Sequence, residues 1–209
     1  AMVAHGRRWS RRMVQRKAVI VGGSLGGLFA GVLLREAGFD VKIAERSRQG
    51  LDGRGAGLVG QREIFAILRA VGCEHVAQIG VVARERITLD RAGRVIDRVA
   101  APQMQLSWDR MYGAFRERFP DERYQLGRTA TAAVDRGDAA FMVRPHTAMG
   151  VAKAAGDAMA LRERFAGAAD IASALAAFDA ERRPTGVAIA AHGRRLGAAL
   201  GRSRAEASP

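Results

Sequence analysis

A glycine-rich turn between a strand and a helix limits what this chain can fold into. The short β-branched run Val19–Val21 enters Gly22-Gly23-Ser24-Leu25-Gly26-Gly27, and this turn opens a helix. Glycine lets the main chain turn sharply and come close to phosphate oxygens. The first turn of the helix adds unpaired N–H groups and the positive end of its dipole. The pattern therefore predicts a site for the pyrophosphate of a dinucleotide.

The loop departs at one place from the usual pattern G-x-G-x-x-G. Gly22 and Gly27 occupy the first and last glycine positions, but Ser24 replaces the middle glycine. A glycine-rich loop alone is a weak signal, so the elements around it must support the prediction.

A helix and a second strand complete a β-α-β unit after this loop. Gly38 marks the expected end of the helix, residues 40–44 alternate as a strand, and Glu45 stands at the end of that strand. An acid about 20 residues beyond the glycines can accept hydrogen bonds from a ribose without a 2′-phosphate, as in FAD or NAD. The alternative is an ordinary strand-turn-helix with an exposed Glu45. One apolar helix face is predicted from the spacing of Leu28, Phe29, Val32 and Leu33.

Composition excludes several classes of protein. The chain has 209 residues, of which 48% are hydrophobic, so it can form one domain or two small ones. The single Cys73 forbids an internal disulfide and favours a reducing, cytoplasmic setting. One Cys and four scattered His do not form a zinc pattern, so we expect no metal. No apolar run reaches the roughly 18 residues of a membrane span, so we expect no membrane partner.

The formal net charge of +13 raises the question of a nucleic-acid partner. No aromatic residues interleave with the basic cluster before the first strand, so it has no stacking surface for bases. We therefore favour a disordered basic extension over residues 1–16, with nucleic-acid binding as the least supported function. The cluster consists of Arg7, Arg8, Arg11, Arg12, Arg16 and Lys17.

Sequence patterns in the rest of the chain indicate both helices and strands. This mixture predicts an α/β fold. Helices are expected at 61–71, 108–119, 151–165 and 171–200, with Ser107 as a cap and a break or kink at Pro184. A hairpin is expected at 86–99 and a strand at 124–134. Residues 50–60 form a second glycine-rich loop, in which Arg54 could face an anion.

Several motifs follow one another along the chain in a fixed order. They are residues 21–28, Glu45-Arg46-Ser47, Gly53-Arg54-Gly55-Ala56-Gly57, residues 107–112, residues 137–146, residues 151–155 and Arg182-Arg183-Pro184. Together they resemble the FAD-dependent aromatic-ring monooxygenases of the para-hydroxybenzoate hydroxylase type. The resemblance is strongest to the 2,6-dihydroxypyridine hydroxylase branch, in which Ser24 is an ordinary residue.

The resemblance implies a Rossmann-like FAD-binding fold with a partial substrate-domain sheet and C-terminal helices. The glycine-rich loop, with Gly23 and Ser24, would hold the FAD pyrophosphate. The side chains and segments implied to bind other parts of FAD are Glu45 and Arg46 at the adenosine ribose, Arg54 in the second glycine-rich loop, Arg110 towards the flavin, Asp138 at the ribityl hydroxyls, and Pro145 to Gly150 along the isoalloxazine ring.

The implied activity is that of an NAD(P)H-dependent oxidoreductase, an aromatic hydroxylase that acts on a hydroxylated pyridine or phenol. NADH or NADPH would supply hydride and O₂ would supply the hydroxyl oxygen, while the protein supplies position and a dry pocket. The resemblance assigns no catalytic side chain, and His146 is read as a loop residue.

Members of this family are about twice as long as the chain. Residues 134–138 directly connect two motif regions that a long segment separates in members of this family. This predicts an internal deletion with its join between Asp135 and Ala139. The expected organisation is an N-terminal FAD-binding part with a remnant of the substrate domain at 17–136, and a C-terminal FAD motif with helices at 137–209. We expect an open sheet edge and uncovered apolar faces. The alternative function is a catalytically inactive dinucleotide-binding remnant.

Overall fold

A computed structural model describes residues 16–53, 55, 57–131 and 149–206. The described residues form a mixed α/β structure with two three-stranded sheets and a set of packed helices. The α/β class predicted from the sequence is therefore confirmed.

The first sheet contains the predicted β-α-β unit. Strand β1 (Lys17–Val21), helix α1 (Leu25–Glu36) and strand β2 (Asp40–Glu45) follow one another, and β1 pairs with β2 in parallel. Strand β6 (Tyr124–Leu126) adds to the other side of β2, also in parallel, which gives the order β1-β2-β6. The carboxyl ends of all three strands therefore lie along one edge, where ligands bind in open parallel sheets.

Helix α1 buries the apolar face that its spacing predicts, since Leu28, Phe29, Val32 and Leu33 are all buried. The chain leaves the helix through Gly38, whose φ of +86° is a left-handed conformation that suits glycine. The glycine at position 31 lets α1 lie close to the sheet, because a Cβ there would press on Ile43.

The second sheet is antiparallel. It contains β3 (Gly57–Val59), β4 (Val81–Leu89) and β5 (Val95–Ser107) in the order β3-β5-β4. The predicted hairpin is confirmed, but its strands are longer than the expected 86–99. Its turn is closed by the Asp90 side chain, which accepts hydrogen bonds from the backbone N–H groups of Ala92 and Arg94.

The helices largely follow their predicted ranges. They are α2 (Arg62–Ala70), a short α3 (His75–Gln78), α4 (Trp108–Glu117), α5 (Gly150–Gly167) and α6 (Ile171–Glu206), with a 3₁₀ turn at Asp121–Arg123. Ser107 caps α4 as expected, because its Oγ accepts from the Arg110 N–H at 3.3 Å. None of the described helices combines the length and the apolar character needed to cross a membrane.

Two predicted boundaries differ from the structure. Helix α6 runs through Pro184 as one helix of 36 residues, so the break, one of the two outcomes predicted there, does not occur. The missing N–H of the proline costs one backbone hydrogen bond, and the rest of the long helix is kept. The strand expected at 124–134 ends at Leu126, because Gly127 takes a φ of +67° and turns the chain. Residues 132–134 lie outside the described part.

Arg16, which we placed in the disordered extension, is held by specific contacts. Its backbone oxygen accepts a hydrogen bond from the Asp40 N–H at 2.8 Å. Its guanidinium lies 5.5 Å from the centre of the Phe39 ring and donates to the Phe165 backbone oxygen. The ordered part of the chain therefore begins at least one residue earlier than predicted, and residues 1–15 lie outside the described part.

Apolar side chains are exposed on both sheets, as we expected from the sequence. Among the described residues β1 pairs with β2 alone, and the outward-facing Val19 and Val21 are 72% and 65% exposed. On the second sheet, the outer parts of β4 and β5 expose side chains from both faces. The exposed residues there include Val81, Val82, Ile87, Leu89, Val95, Ile96 and Val99.

This exposure predicts that β1 and β2 respond differently to substitution. Val19→Thr should change the free energy of unfolding by less than about 0.5 kcal/mol, as expected for a surface position. Ile43→Ala, at a fully buried position on β2, should cost about 2–5 kcal/mol because it leaves a cavity. Urea unfolding of the two variants measures this difference, and similar losses would show that the Val19 face is covered in solution.

Candidate functional site

The first and last glycines of the loop are needed for different steric reasons. Gly22 has a φ of +103°, and its N–H donates to the Ala44 backbone oxygen at 2.8 Å, which ties the loop to β2. Gly27 lies against the Gly22 carbonyl oxygen, so a Cβ at Gly27 would overlap it. The loop therefore turns tightly from β1 into α1, as the glycine pattern predicts.

Gly23 is held from both sides. Its N–H donates to Glu45 Oε2 at 2.8 Å, and its carbonyl oxygen accepts from the Tyr124 hydroxyl at 2.8 Å. A Cβ at Gly23 would overlap that hydroxyl, so only glycine fits without a shift of the tyrosine. The middle of the loop is thereby fixed to the end of β2 and to the start of β6.

Glu45 is buried, with 6% of its surface exposed, rather than exposed as the ordinary strand-turn-helix alternative requires. Its second oxygen, Oε1, accepts from the Ser47 N–H at 2.8 Å. A carboxylate offers about four lone-pair positions, so these two bonds leave acceptor capacity for further donors. Glu45 can therefore hold the loop and still accept hydrogen bonds from a ligand's hydroxyl groups.

Two helices begin on the same side of the site. A Cβ at Gly26, in the first turn of α1, would lie 3.4 Å from the Ala154 side chain in α5. Further along both helices, Arg162 of α5 lies 3.7 Å from the Glu36 carboxylate of α1. The two helices therefore run in the same direction, and α5 starts at the exposed Gly150. Both positive dipole ends lie towards the carboxyl edge of the first sheet.

The second glycine-rich loop lies at the start of α4. The Gly53 N–H donates to Asp109 Oδ1 at 3.0 Å, and Gly55 lies so close to Trp108 that a Cβ would overlap the ring. Arg110 lies in the same first turn of α4 with an exposed side chain. The predicted site residue Arg54, between the two glycines, lies outside the described residues.

A chain of aromatic contacts connects the two loops. Trp108 stacks on Tyr112 with ring centres 4.8 Å apart, and the hydroxyls of Tyr112 and Tyr124 are 3.0 Å apart. Since Tyr124 also bonds Gly23, the contacts run from the second loop to the first. Burial is the main cause that raises the pKa of Tyr124, and the contact between its hydroxyl and that of Tyr112 is the next cause, so the phenol stays protonated.

The structure brings together only part of the predicted site. Gly22, Gly23, Ser24, Gly27 and Glu45 lie together at the carboxyl edge of the first sheet. Arg46 follows Glu45 directly and has an exposed side chain. The predicted residues Asp138 and Pro145 lie outside the described part of the chain, so their positions stay predictions.

Sequence reasoning missed the roles of Tyr112 and Tyr124. Tyr124 was expected only to begin a strand, and it is 101 residues from its partner Gly23. No local periodicity indicates such a contact. The one available signal was a tyrosine at the start of a predicted strand, since a tyrosine hydroxyl that becomes buried in a sheet needs a hydrogen-bond partner.

Other sites are less suited to a dinucleotide. Two surface clefts lie at the opposite end of the first sheet, near Arg35 and Asp40, and neither touches the glycine-rich loop. Among the described residues, no group of three or more His, Cys, Asp and Glu side chains could hold a metal ion.

The tight fit of Gly23 predicts a large difference between two glycine substitutions. Gly23→Ala should lower the free energy of unfolding by about 1–3 kcal/mol, because the new methyl group must displace Tyr124. Gly113→Ala, in α4 with open space around it, should raise that free energy by about 0.5–1 kcal/mol through better helix propensity. Chemical unfolding compares the two variants. An unchanged free energy of unfolding in Gly23→Ala would contradict the tight packing of Gly23 against Tyr124.

Comparison with known proteins gives a partial match. No family model matches the chain. Over 113 residues, the chain is 37% identical to a 2,6-dihydroxypyridine 3-monooxygenase of Paenarthrobacter nicotinovorans. The matched segment is 54% of this chain and 28% of that protein. The chain thus spans well under half the length of this relative.

Two solved structures are also similar to part of the chain. The 2,6-dihydroxypyridine-3-hydroxylase from Arthrobacter nicotinovorans is 37% identical, with a TM-score of 0.46 over 54% of this chain and 29% of that one. A tetrameric form of 2-methyl-3-hydroxypyridine-5-carboxylic acid oxygenase is 20% identical, with a TM-score of 0.47. This match covers 58% of this chain and 34% of that one. Over the matched 113 residues, the chain is therefore homologous to 2,6-dihydroxypyridine 3-monooxygenase, which confirms the predicted resemblance to the FAD-dependent aromatic-ring monooxygenases.

Proposed function

We propose that this chain binds FAD through the glycine-rich loop at the carboxyl edge of its first sheet. The observation that carries the proposal is the fixed Gly23 peptide, held by Glu45 and Tyr124 where α1 begins. A backbone fixed in this way can present N–H groups to a phosphate without first losing conformational entropy. We extend the fold class accordingly to a Rossmann-like FAD-binding fold.

The residues present fit this cofactor. Among the described residues, no atom lies within 4 Å of where a Cβ of Gly22 would be, and Gly27 packs directly against the Gly22 carbonyl oxygen. Glu45 has acceptor capacity for the hydroxyls of the adenosine ribose, and the exposed Arg46 follows it directly in the chain. The N-terminus of α5, next to that of α1, supplies a second positive end for an anionic part of the cofactor.

The remaining roles follow the family resemblance and are part of the same proposal. Arg110 would reach towards the flavin from the start of α4, and Gly150 would lie along the isoalloxazine ring at the start of α5. Arg54, Asp138 and Pro145 would complete the cofactor site. We also propose the division into residues 17–136 and 137–209, with the exposed second sheet as a remnant of a substrate domain.

When bound, FAD would supply the redox chemistry, which is hydride acceptance from NADH or NADPH and O₂-dependent hydroxylation of a hydroxylated pyridine or phenol. The chain's own residues would bind and orient the cofactor. The paired starts of α1 and α5 would favour negative charge on it, because N–H groups and helix dipoles stabilise anions. This assignment makes the chain an oxidoreductase of the monooxygenase type. We propose a cytoplasmic location, in line with the single free Cys73.

One observation favours a second candidate, a remnant that binds the dinucleotide without hydroxylating a substrate. Strand β1 has an exposed apolar face, and the second sheet is exposed on both faces of its outer part. These surfaces support the proposed internal deletion, since a complete substrate domain would cover them. With less of a pocket wall, the chain would exclude water poorly from the reacting centre.

Flavin binding tests the cofactor proposal directly. The full chain should quench FAD fluorescence and retain a yellow chromophore after gel filtration. Glu45→Gln should weaken FAD binding by about tenfold, because a neutral amide is a poorer acceptor than a carboxylate. Glu63→Gln, at a half-buried carboxylate of α2 that pairs with Arg62, is the control and should leave the Kd unchanged. Absence of bound flavin at saturating FAD would overturn the proposal.

Turnover separates the two candidates. We expect the FAD-loaded chain to oxidise NADH in the presence of 2,6-dihydroxypyridine, with hydrogen peroxide as the main product of O₂ reduction. The poorly covered pocket is the reason, because water reaches the cofactor before oxygen is transferred. Oxygen uptake with and without catalase measures the peroxide, and chromatography measures the hydroxylated pyridine. Hydrogen peroxide without hydroxylated pyridine would favour the remnant, and stoichiometric hydroxylation would favour the hydroxylase.

A further inference from the structure

We propose that Tyr124 is a positioning residue that aims the Ser24 N–H at the cofactor's pyrophosphate. This inference rests on the proposed FAD-binding function, and it adds a residue that the glycine pattern does not contain. Tyr124 lies in β6, is buried, and reaches the glycine-rich loop through one hydrogen bond of 2.8 Å to the Gly23 carbonyl oxygen.

The number of available protons decides which group donates in the contacts among Tyr112, Tyr124 and Gly23. A phenol has one O–H proton, and the Gly23 carbonyl oxygen can only accept. Tyr124 therefore gives its proton to Gly23, so the 3.0 Å contact between the two hydroxyls must be donated by Tyr112. The chain of hydrogen bonds runs in one direction, from Tyr112 through Tyr124 to Gly23, and each bond strengthens the next.

The bond to Gly23 fixes the peptide group that ends in the Ser24 N–H. In a trans peptide, the C=O and the N–H point in opposite directions. Because the Gly23 carbonyl points at the buried Tyr124, the Ser24 N–H points to the other side, where Ser24 is exposed. Donation to the carbonyl also polarises the peptide group and makes this N–H a better donor.

Glu45 fixes the preceding peptide in the same manner. It accepts from the Gly23 N–H, so the Gly22 carbonyl points the opposite way, towards Gly27. Two consecutive peptide planes are thus set by side chains from β2, which pairs with β1, and from β6, which pairs with the other side of β2. Ser24 makes no side-chain cap bond at the start of α1, so its exposed side holds only the backbone donor and the hydroxyl.

Packing around Tyr124 keeps the phenol in place. The Arg116 guanidinium lies 4.3 Å from the centre of its ring, and the Phe119 ring meets it edge to face at 6.4 Å. These contacts involve the ring and not the hydroxyl. Tyr124→Phe therefore removes the bond to Gly23 while the ring contacts stay.

The test compares Tyr124→Phe with Tyr112→Phe in the full chain. Both variants lose one hydroxyl from the same buried cluster, but only Tyr124→Phe loses the donor to Gly23. We expect Tyr124→Phe to raise the Kd for FAD, and for ADP as a minimal pyrophosphate probe, by about tenfold. Tyr112→Phe should change either Kd by less than about twofold, since Tyr124 keeps its proton on Gly23.

A second readout needs no bound cofactor. In ¹⁵N–¹H spectra of the cofactor-free chain, the Ser24 amide resonance should move in Tyr124→Phe and stay in place in Tyr112→Phe. Urea unfolding of both variants measures the general cost of losing a buried hydroxyl. That cost should be larger in Tyr124→Phe, which leaves the buried Gly23 carbonyl without a donor, so each Kd is measured under conditions in which both variants are fully folded.

Each outcome decides one of the proposals. If the parent chain binds FAD and both variants bind it equally well, the positioning role of Tyr124 is wrong while the FAD site stands. If both variants lose affinity and stability to the same degree, Tyr124 is only a packing residue, and the inference is again wrong. If the parent chain binds neither FAD nor ADP, the proposed function itself fails and this inference falls with it.

Discussion

The glycine-rich loop depends on a single peptide segment that is bonded on both sides. The Gly23 N–H is held by Glu45 at the end of β2, and the Gly23 carbonyl is held by Tyr124 at the start of β6. These bonds join three strands and the start of α1 at one point. Because both partners are buried, loss of either one would leave a polar group without water or a partner, which is costly. The site and the first sheet are therefore parts of one packing arrangement.

Local pattern was sufficient to predict much of the fold. The spacing of Leu28, Phe29, Val32 and Leu33 predicted the buried face of α1, and Ser107 was correctly expected to cap α4. The loop and Glu45 were predicted from their order along the chain, and the structure places them within hydrogen-bond distance. These features depend on neighbours in sequence, where periodicity and turn chemistry are informative.

The features that sequence reasoning missed depend on contacts between distant segments. The bond between Tyr124 and Gly23 joins residues 101 positions apart, and no repeat or spacing indicates it. The early end of β6 depends on Gly127, whose left-handed conformation is not marked by its neighbours. Helix α6 shows a similar limit, because the propensity of Pro184 favoured a break or a kink, and the helix continues through it without a break.

The parallel packing of α1 and α5 has a consequence for how chains of this type can vary in length. The contacts that align the helices, between Gly26 and Ala154 and between Glu36 and Arg162, lie wholly within the helices. They place no demand on the number of residues that connect β6 to α5. A connecting segment could therefore gain or lose an entire subdomain while the two helix starts keep their shared position. The interface between α1 and α5 can therefore stay the same while other parts of the chain become longer or shorter.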